Sequence, residues 1–543
     1  MASIVPVLIL TAAAEAFALT LLIPEHLPPH PFVWTLIRTS ALNVGLYTLW
    51  TVFIYPFFVS PLRHLPQPKG SIPLVGHGYA MFRKPPAKDF LKWVTDIPND
   101  GLIYFRGFLY QDRLLLTNPQ TLAEVLVQKS YDFEKPTKLR NFLRRILGDG
   151  LIIVEGDEHK FQRKHIMPVF GFRHIKELYP MMWKKAVALT QGVAEEVAEG
   201  RDGTKDTVVE VNHWANKVTM DIIGVAGLGR DFGALRNSDD ELIQNYEEIL
   251  EPTLEKVLYF ASQIVGPPAI IDRLPLRINK RMKATTGALN RICNELVRDK
   301  RKAMEKGGDE HLDILSVLIK SNNFSDQQLV DQLLTFLAAG HETTSSAFTW
   351  TTYLLATHPD IQTRLREEIR SAVSSGFSPE FDLAGILEGL PLLNAVCNET
   401  LRLYPTVPIT IRDSIRPTTI GGQFIPKDTQ ILISPWAVNR SPHLWGDNAS
   451  EFVPDRWIDA KTGKPNNNGG TSSNYSLLTF LHGPRSCIGE RFAKAELRCL
   501  VASFVGAFEM EVAFPEEEVV PAGVITTKPR DGMKLRLRPV GTW

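Results

Sequence analysis

The chain opens with two apolar stretches that differ sharply from the sequence after them. Residues 3–24 are almost wholly apolar with Glu15 as their one charge, and residues 39–60 carry no charge. About 20 apolar residues suffice to span a bilayer as a helix. Residues 1–60 are therefore predicted to be a membrane anchor with one or two transmembrane segments. A cleaved signal peptide is the alternative for the first stretch, but no Lys or Arg precedes its apolar run.

Residues 61–76 are rich in proline and include Arg63, His64 and Lys69. Proline at this density predicts a stiff, extended hinge. Positive residues that flank a transmembrane helix favour the cytosolic side. The remaining chain, residues 77–543, is therefore predicted to be one catalytic domain that faces the cytosol.

In this body the hydrophobic positions recur mostly with helical period. Short runs with the alternation of strands lie near residues 102–105, 113–117, 430–433 and 534–537. No repeat, long linker or break in composition divides it. The pattern predicts a mainly α fold with a smaller β portion, of the α+β class.

One helix is predicted to be much longer than the others. Ser325 and Gln328 form a capping box at its start, and the pattern then continues to about Thr357. At 1.5 Å per residue this length is about 48 Å, enough to cross a domain. Its apolar middle contains residues 340–344, with sequence GHETT. Because Gly and Thr are poor helix formers and a Thr hydroxyl can bend a helix, we expect the helix to open there.

Composition excludes some classes of function. Lys plus Arg and Asp plus Glu number 60 each, so nothing indicates a nucleic-acid partner. The four cysteines are too few and too scattered for a disulfide framework or a zinc site. They fit a reducing compartment, where a functional cysteine acts alone.

One cysteine lies in the segment FLHGPRSCIG, residues 480–489. This segment resembles the haem-ligand signature F-x-x-G-x-R-x-C-x-G of the cytochrome P450 family, with every fixed position filled. The resemblance implies a cytochrome P450 fold that holds haem b, with Cys487 as the thiolate ligand of the iron. A thiolate ligand favours cleavage of the O–O bond. Backbone N–H groups at the start of the following helix can stabilise its charge.

The other fixed positions of the segment have implied roles around the haem. Phe480 is expected to shield the sulfur from water. Gly483 and Gly489 are expected to let backbone and haem approach closely because they have no Cβ. Arg485 is expected to bind a haem propionate.

Two further segments are similar to a structural network of the same family. The segment ETLR, residues 399–402, resembles its E-x-x-R, and FVPDRW, residues 452–457, resembles its F-x-P-E-R-F. Glu399 and Arg402 would pair on one helix face, and Arg456 would complete a buried network. Asp and Trp depart from the pattern at positions 455 and 457.

Three residues are implied to be additional haem partners. The segment GDEHKFQR, residues 156–163, resembles the family's G-x-x-W-x-x-x-R, with His159 in place of Trp and with Arg163 matching. Either side chain can donate to a propionate. Arg412 falls where the family places another propionate-binding arginine.

The centre of the long helix, AGHETT at residues 339–344, resembles the family's A-G-x-[D/E]-T-[T/S]. Glu342 and Thr343 would then be the catalytic acid–alcohol pair that delivers protons for O–O cleavage. Motif position also implies a set of apolar residues that face the substrate: Phe336, Ala339, Val407, Ile409, Val524 and Ile525.

Two other segments resemble known motifs but do not meet the requirements of those motifs. Residues 341–345 begin like a zinc-protease HExxH, but Ser345 stands where the second ligand is needed. Residues 227–233 resemble a dinucleotide loop but follow a helical segment rather than a strand. Without a nucleotide site the electrons must come from elsewhere, and for a membrane-bound chain the resemblance implies NADPH and a separate cytochrome P450 reductase. A basic stripe on the helix after the cysteine is predicted to bind this acidic partner: Arg491, Lys494 and Arg498.

Together these features predict a microsomal-type, fungal monooxygenase of the endoplasmic reticulum membrane, with a role in secondary metabolism. It would insert one oxygen atom from O2 into a lipophilic small molecule, such as a terpenoid, polyketide or fatty acid, by hydroxylation or epoxidation. A haem-thiolate isomerase or dehydratase that acts on peroxides is the first alternative. Such relatives tend to lose the acid–alcohol pair, which this chain has. A non-catalytic haem-binding or membrane scaffold protein is the second.

Overall fold

The computed structural model describes residues 4–22, 31–200, 207–236, 240–250, 253–266, 268–306, 313–373, 382–523 and 525–541. In this part of the chain α-helices dominate, as the sequence predicts. In chain order they are α1 (Ile4–Leu22), α2 (Pro31–Thr48), α3 (Lys88–Asp96), α4 (Pro119–Ala123), α5 (Thr137–Leu147), α6 (Gly156–Ile166), α7 (Phe172–Glu199), α8 (Val211–Ile223), α9 (Glu241–Leu250), α10 (Leu254–Val265), α11 (Pro268–Ile271), α12 (Arg277–Glu305), α13 (Ile314–Ser321), α14 (Asp326–Thr357), α15 (Pro359–Ala372), α16 (Leu383–Gly389), α17 (Pro391–Leu403), α18 (Pro435–Val438), α19 (Pro442–Trp445) and α20 (Glu490–Ala507).

The strands are short and form four sheets. They are β1 (Leu102–Arg106), β2 (Asp112–Leu116), β3 (Phe133–Glu134), β4 (Val208–Glu210), β5 (Thr410–Ser414), β6 (Thr418–Ile420), β7 (Gln423–Ile425), β8 (Gln430–Ile433), β9 (Phe508–Val512), β10 (Pro521–Ala522), β11 (Lys528–Pro529) and β12 (Lys534–Pro539). The largest sheet has the order β1-β2-β8-β5-β3, and a three-stranded sheet has the order β4-β12-β9. All four predicted strand regions are confirmed as β1, β2, β8 and β12.

The first two helices lie side by side, and the second leads into the body. The Thr39 hydroxyl donates to the Ala12 carbonyl at 3.0 Å, and the Asn43 amide donates to the Glu15 carboxylate at 2.8 Å. A π-helical stretch, Leu49–Val59, continues α2. One apolar helical segment, Phe32–Val59, is long enough to cross a membrane.

The proline-rich segment is packed onto the body rather than extended away from it. The side chain of Leu62 is fully buried in the cluster beneath the large sheet. The Ser60 hydroxyl donates to the Asp112 carboxylate at 2.6 Å, and the Tyr104 N–H donates to the Pro66 carbonyl at 2.9 Å. The expectation of an extended hinge is therefore wrong for the first part of residues 61–76, because the edge of β1–β2 offers these residues both apolar cover and polar partners.

The long central helix forms where the sequence predicts it. Helix α14 begins with the Ser325–Gln328 capping box and is 32 residues long. It packs against α8, α12 and α20, and most of its residues are buried. Because it crosses the whole body, side chains from its middle can face the loop that precedes α20.

A buried carboxylate joins α17 to the segment that follows α19. Glu399 receives two N–H groups of Arg402, both at 2.8 Å, and neither side chain has exposed surface. The Arg456 guanidinium donates to the same carboxylate at 3.0 Å. Arg402 also donates to the carbonyls of Asn439 and Ala449. Every polar atom of the ion pair thus has a partner, which burial of a charge requires.

The Trp that departs from the family pattern adds a bond to this network. The indole N–H of Trp457 donates to the second oxygen of Glu399 at 2.8 Å. A phenylalanine at this position would fill the space but would offer no donor. The substitution therefore gives the carboxylate one more hydrogen bond. The Asp at 455 instead forms an exposed pair with Arg364 at 2.8 Å.

We expect Trp457→Phe to lower the free energy of unfolding by about 1.5–3 kcal/mol, because a hydrogen bond to a buried charge is lost. Urea unfolding of the detergent-solubilised protein measures this change. Trp445→Phe is the matched control, since its indole N–H donates to the neutral carbonyl of Ser476 at 3.2 Å. It should cost about 0.5–1.5 kcal/mol. Equal losses in the two variants would contradict the proposed role of the Glu399 charge.

Candidate active site

The cysteine segment forms a tight loop directly before α20. A 3-10 turn spans Gly483–Arg485. The Cys487 N–H donates to the Phe480 carbonyl at 2.8 Å, which closes the loop. Because α20 begins at Glu490, the Cys487 sulfur lies next to the free N–H groups of a helix start.

Opposing effects act on the Cys487 thiol. The residue has accessible surface, yet protein atoms surround the sulfur closely enough that burial raises its pKa to about 11. A backbone hydrogen bond from Gly489 and the charge of Arg163 favour the thiolate, and Glu490 disfavours it. Burial prevails in the chain by itself. A coordinated metal ion deprotonates a thiol outright, so this sulfur fits a ligand that is ionised by its metal.

The two glycines of the cysteine loop have different surroundings. Gly483 has a φ of +76°, and a Cβ there would lie 2.2 Å from the carbonyl oxygen of Leu126. Protein backbone therefore already requires glycine at this position, and the expected close approach of haem stays a prediction. At Gly489 a Cβ would make only ordinary contacts, the nearest being Phe170 at 3.9 Å and the Cys487 sulfur at 4.0 Å.

A chamber separates the cysteine loop from the central helix. Phe480 of the loop and residues of α20 form one wall, and α14 forms the opposite wall. Six of its lining residues are Thr343, Thr344, Ala347, Phe480, Ala493 and Leu497. The predicted proton-delivery residue Thr343 and the predicted sulfur shield Phe480 thus line the same space.

At one side of the loop the Arg485 side chain lies buried without a complete set of partners. One nitrogen contacts the Glu155 carboxylate, and the guanidinium lies 4.9 Å from the ring centre of Tyr131. None of its three nitrogens makes a hydrogen bond of ordinary geometry. Buried donors of this kind need acceptors.

Other cations gather around the same position. Arg412 is buried and donates only to neutral oxygens, those of Thr410 and Ile411, both at 2.8 Å. Burial lowers its pKa to about 10. His159 is buried beside the Tyr131 hydroxyl at 3.3 Å. Burial, followed by the charges of Lys135, Arg163 and Arg412, lowers its pKa to about 4, so it is neutral at physiological pH.

Lys135 is the residue of this cluster that the sequence did not indicate. Its ammonium group is 3.4 Å from the Glu155 carboxylate. Burial, followed by Arg412, Arg485 and Arg140, holds its pKa well below the usual range. An isolated lysine before α5 has no motif around it, so only the folded chain reveals its surroundings.

This cluster fits the propionate groups of haem b. Lys135, Arg412 and Arg485 converge on a buried region where Glu155 contacts two of the three. Two further carboxylates would balance the remaining charge and would supply acceptors to the Arg485 nitrogens. The donors of the cluster and the sulfur of Cys487 together suit an iron porphyrin with two carboxylates.

Arg163 contacts the cysteine loop. Its guanidinium donates to the carbonyl of Ser486 and, at 3.1 Å, to the Ser486 hydroxyl. It therefore ties α6 to the cysteine loop, and its charge acts on the Cys487 sulfur. These bonds use two of the five N–H donors of the guanidinium, so its binding of a propionate stays a prediction.

Helix α14 is continuous through its polar centre. The Thr343 hydroxyl donates to the Ala339 carbonyl at 2.7 Å, as the sequence suggests, but the helix does not open. The prediction that the helix opens here is therefore wrong, because the bond from the Thr343 hydroxyl is added without displacing the helical backbone. A Cβ at Gly340 would lie 2.8 Å from the Ile223 side chain. Glycine here permits close packing of α14 on α8.

The predicted substrate-facing residues do not share one environment. Ala339 is exposed beside the chamber, and Val407 and Ile409 are half-buried. Phe336 is buried, with its ring 5.7 Å from that of Phe170. Ile525 is exposed, whereas Val524 lies outside the described residues.

The predicted basic stripe is shorter than expected. Arg498 is half-buried and donates to the Asn394 side chain at 2.6 Å and to the Tyr179 hydroxyl at 3.3 Å. It therefore belongs to the packing between α20, α17 and α7. Lys494 pairs with Glu490 at 2.7 Å, and Arg491 is exposed.

Comparisons with known proteins agree with this site. A family profile described as Cytochrome P450 matches residues 66–534. The chain is 42% identical to cytochrome P450 monooxygenase sphH of Aspergillus fumigatus, over 91% of each chain. It is 40% identical to cytochrome P450 monooxygenase ptmK of Penicillium ochrochloron, over 93% of this chain and 98% of the other. It is 36% identical to cytochrome P450 monooxygenase ALT8 of Alternaria alternata, over 92% and 93%. This chain belongs to the cytochrome P450 family and is a haem-thiolate monooxygenase.

Proposed function

We propose that this monooxygenase oxidises a lipophilic small molecule with electrons that reach it from NADPH through a separate reductase. The observation that carries the proposal is the chamber with Thr343 on one wall and Phe480 of the cysteine loop on the other. Thr343, whose hydroxyl could pass protons, thus lines the same space as the loop that contains Cys487. The products would be an alcohol or an epoxide.

Haem, when bound by Cys487, supplies O2 activation, and a thiolate ligand favours O–O cleavage. The chain's own residues then have three tasks. Arg412, Arg485 and Lys135 hold the propionates, Phe480 keeps water from the sulfur, and Glu342 with Thr343 supplies protons. General acid catalysis of this kind contributes about 10²–10⁴-fold to a rate.

The apolar residues that line the chamber support a lipophilic substrate. Ala347 lies on α14, Leu401 lies on α17, and Ala493 and Leu497 lie on α20. Apolar walls bind apolar ligands by removing their surface from water. A peroxide isomerase or dehydratase would have no use for the Glu342–Thr343 pair, which therefore favours oxygen insertion.

Exchange of the thiolate ligand tests this proposal. We expect the reduced wild-type protein with carbon monoxide to show a Soret maximum displaced far to the red, because a thiolate ligand of the iron produces that displacement. Cys487→Ala should abolish that band, whereas Cys499→Ala should keep it, since Cys499 is buried in α20 away from the loop. A wild-type protein that takes up haem but gives only an imidazole-like spectrum would contradict the proposal.

We further propose that one helix spans the membrane of the endoplasmic reticulum and that the body faces the cytosol. Phe32–Val59 is the described helical segment with the length to cross. Helix α1 packs along α2, with hydrogen bonds between Ala12 and Thr39 and between Glu15 and Asn43.

A glycosylation tag at the amino terminus distinguishes one span from two. With one span and a cytosolic body, the amino terminus lies in the lumen, and an Asn-x-Thr tag there should be glycosylated. The same tag at the carboxyl terminus should stay unmodified. An unmodified amino-terminal tag together with a cytosolic carboxyl terminus would indicate two spans.

Reductase binding is proposed for the surface around Arg491. This residue is exposed on α20, directly behind the cysteine loop, with Lys494 one turn away. An exposed cation at an interface mainly raises the rate of association with an acidic partner, and salt weakens that effect.

We expect Arg491→Glu to slow reduction of the haem by NADPH and reductase about five- to tenfold at low salt, because the charge reversal repels an acidic surface. Trapping of the reduced haem with carbon monoxide in a stopped-flow instrument measures the rate. Lys461→Glu, an exposed site in a distant loop, is the control. Reduction by dithionite should be unchanged in both variants. Equal slowing with dithionite would contradict a docking role.

A further inference from the structure

The carboxylate of Glu342 forms an ion pair with a residue that no motif indicates. The Lys528 ammonium nitrogen is 2.5 Å from a Glu342 oxygen. The side chains are 29% and 15% exposed, respectively. Solvent therefore screens this pair less than it screens a surface pair.

The strand that carries Lys528 is fixed to the same helix as Glu342. The carbonyl of Thr527 accepts bonds from Trp350, at 3.0 Å, and from Ser346. The Thr527 N–H donates to the Thr406 carbonyl at 2.9 Å. The backbone next to Lys528 is thus held against α14 one turn beyond Glu342. This fixed backbone position allows the long Lys528 side chain to reach the carboxylate.

Two buried titratable side chains next to this pair, Tyr246 and His341, are neutral. The rings of Tyr246 and His341 meet edge to face with centres 5.7 Å apart, and both are buried. Burial lowers the pKa of His341 to about 4, with a smaller opposing effect of Glu342. Burial, followed by Glu342, raises the pKa of Tyr246. Among these groups Lys528 therefore supplies the positive charge next to Glu342.

We infer that Lys528 is a positioning residue for proton delivery: it holds the Glu342 carboxylate in place between transfers. This inference rests on the proposed function. One proton moves from solvent water to Glu342, and Glu342 passes a proton to the Thr343 hydroxyl, which releases its own proton into the chamber. Glu342 then returns to its ion pair with Lys528 as a carboxylate, so one proton enters and one leaves.

A reaction without organic substrate tests this role. The full-length protein, its reductase and NADPH consume O2, which becomes H2O2 with two electrons and two protons or water with four of each. We expect Lys528→Met to raise the share of electrons recovered as H2O2 at least twofold, since protons arrive more slowly. Lys528→Arg should restore this share to within about twofold, because it keeps the charge.

A double substitution separates action through Glu342 from a general structural effect. If Lys528 acts through Glu342, Lys528→Met should change nothing further in a Glu342→Gln protein. Arg530→Met is the matched control, since it removes an exposed pair with Asp531 at 2.8 Å. It should behave as wild type. Lys528→Gln, which keeps a polar side chain, is measured beside Lys528→Met in case the latter loses the carbon monoxide band.

Two results would overturn the inference. One is a wild-type H2O2 share in both Lys528→Met and Lys528→Gln. The other is an additional effect of Lys528→Met in the Glu342→Gln protein. Failure of the proposed function would look different: the wild-type protein would take up no O2 with NADPH and reductase, although it bound haem.

Discussion

The burial of charge is the constraint on which the rest of this structure depends. Glu399 and Arg402 have no exposed surface, and a charge so placed is tolerated only when its whole hydrogen-bonding capacity is used. Arg402 meets that need with carbonyls of the chain before and after α19. The network therefore holds α17 against the chain on both sides of α19, upstream of the loop that contains Cys487.

A second set of buried charges does not have its full set of partners within the chain. Around Glu155 the cations exceed the carboxylates, and Arg485 has donors without acceptors. In an apoprotein such an arrangement is unfavourable, since like charges repel and unpaired donors lose their hydration. The same features favour a ligand with two carboxylates. Haem can therefore stabilise this region of the chain when it binds.

The distal side uses a single cation instead of a cluster. Glu342 has Lys528 beside it, and its other neighbours, His341 and Tyr246, are kept neutral by burial. Among the described residues, several cations thus surround Glu155, whereas Glu342 has the counter-charge of Lys528 beside it.

The sequence by itself determined the elements and the chemistry that depend on residue type and local spacing. The capping box at Ser325, the strand alternation, the cysteine signature and the i, i+3 pair of Glu399 and Arg402 are all local, and the folded chain forms each of them. The departure at Trp457 was visible, but its bond to Glu399 was not, since the partner lies 58 positions away.

Only the tertiary structure decided which distant groups meet. It directs Arg163 to the Ser486 carbonyl, buries Arg498 against α17, brings Lys135 to the propionate cluster and sets Lys528 against Glu342. It also shows that Gly340 makes room for Ile223 and that α14 stays continuous. The physical reason is common to all of these: an ion pair or a close approach between elements far apart in sequence leaves no periodic pattern along the chain. It exists only once both elements are packed.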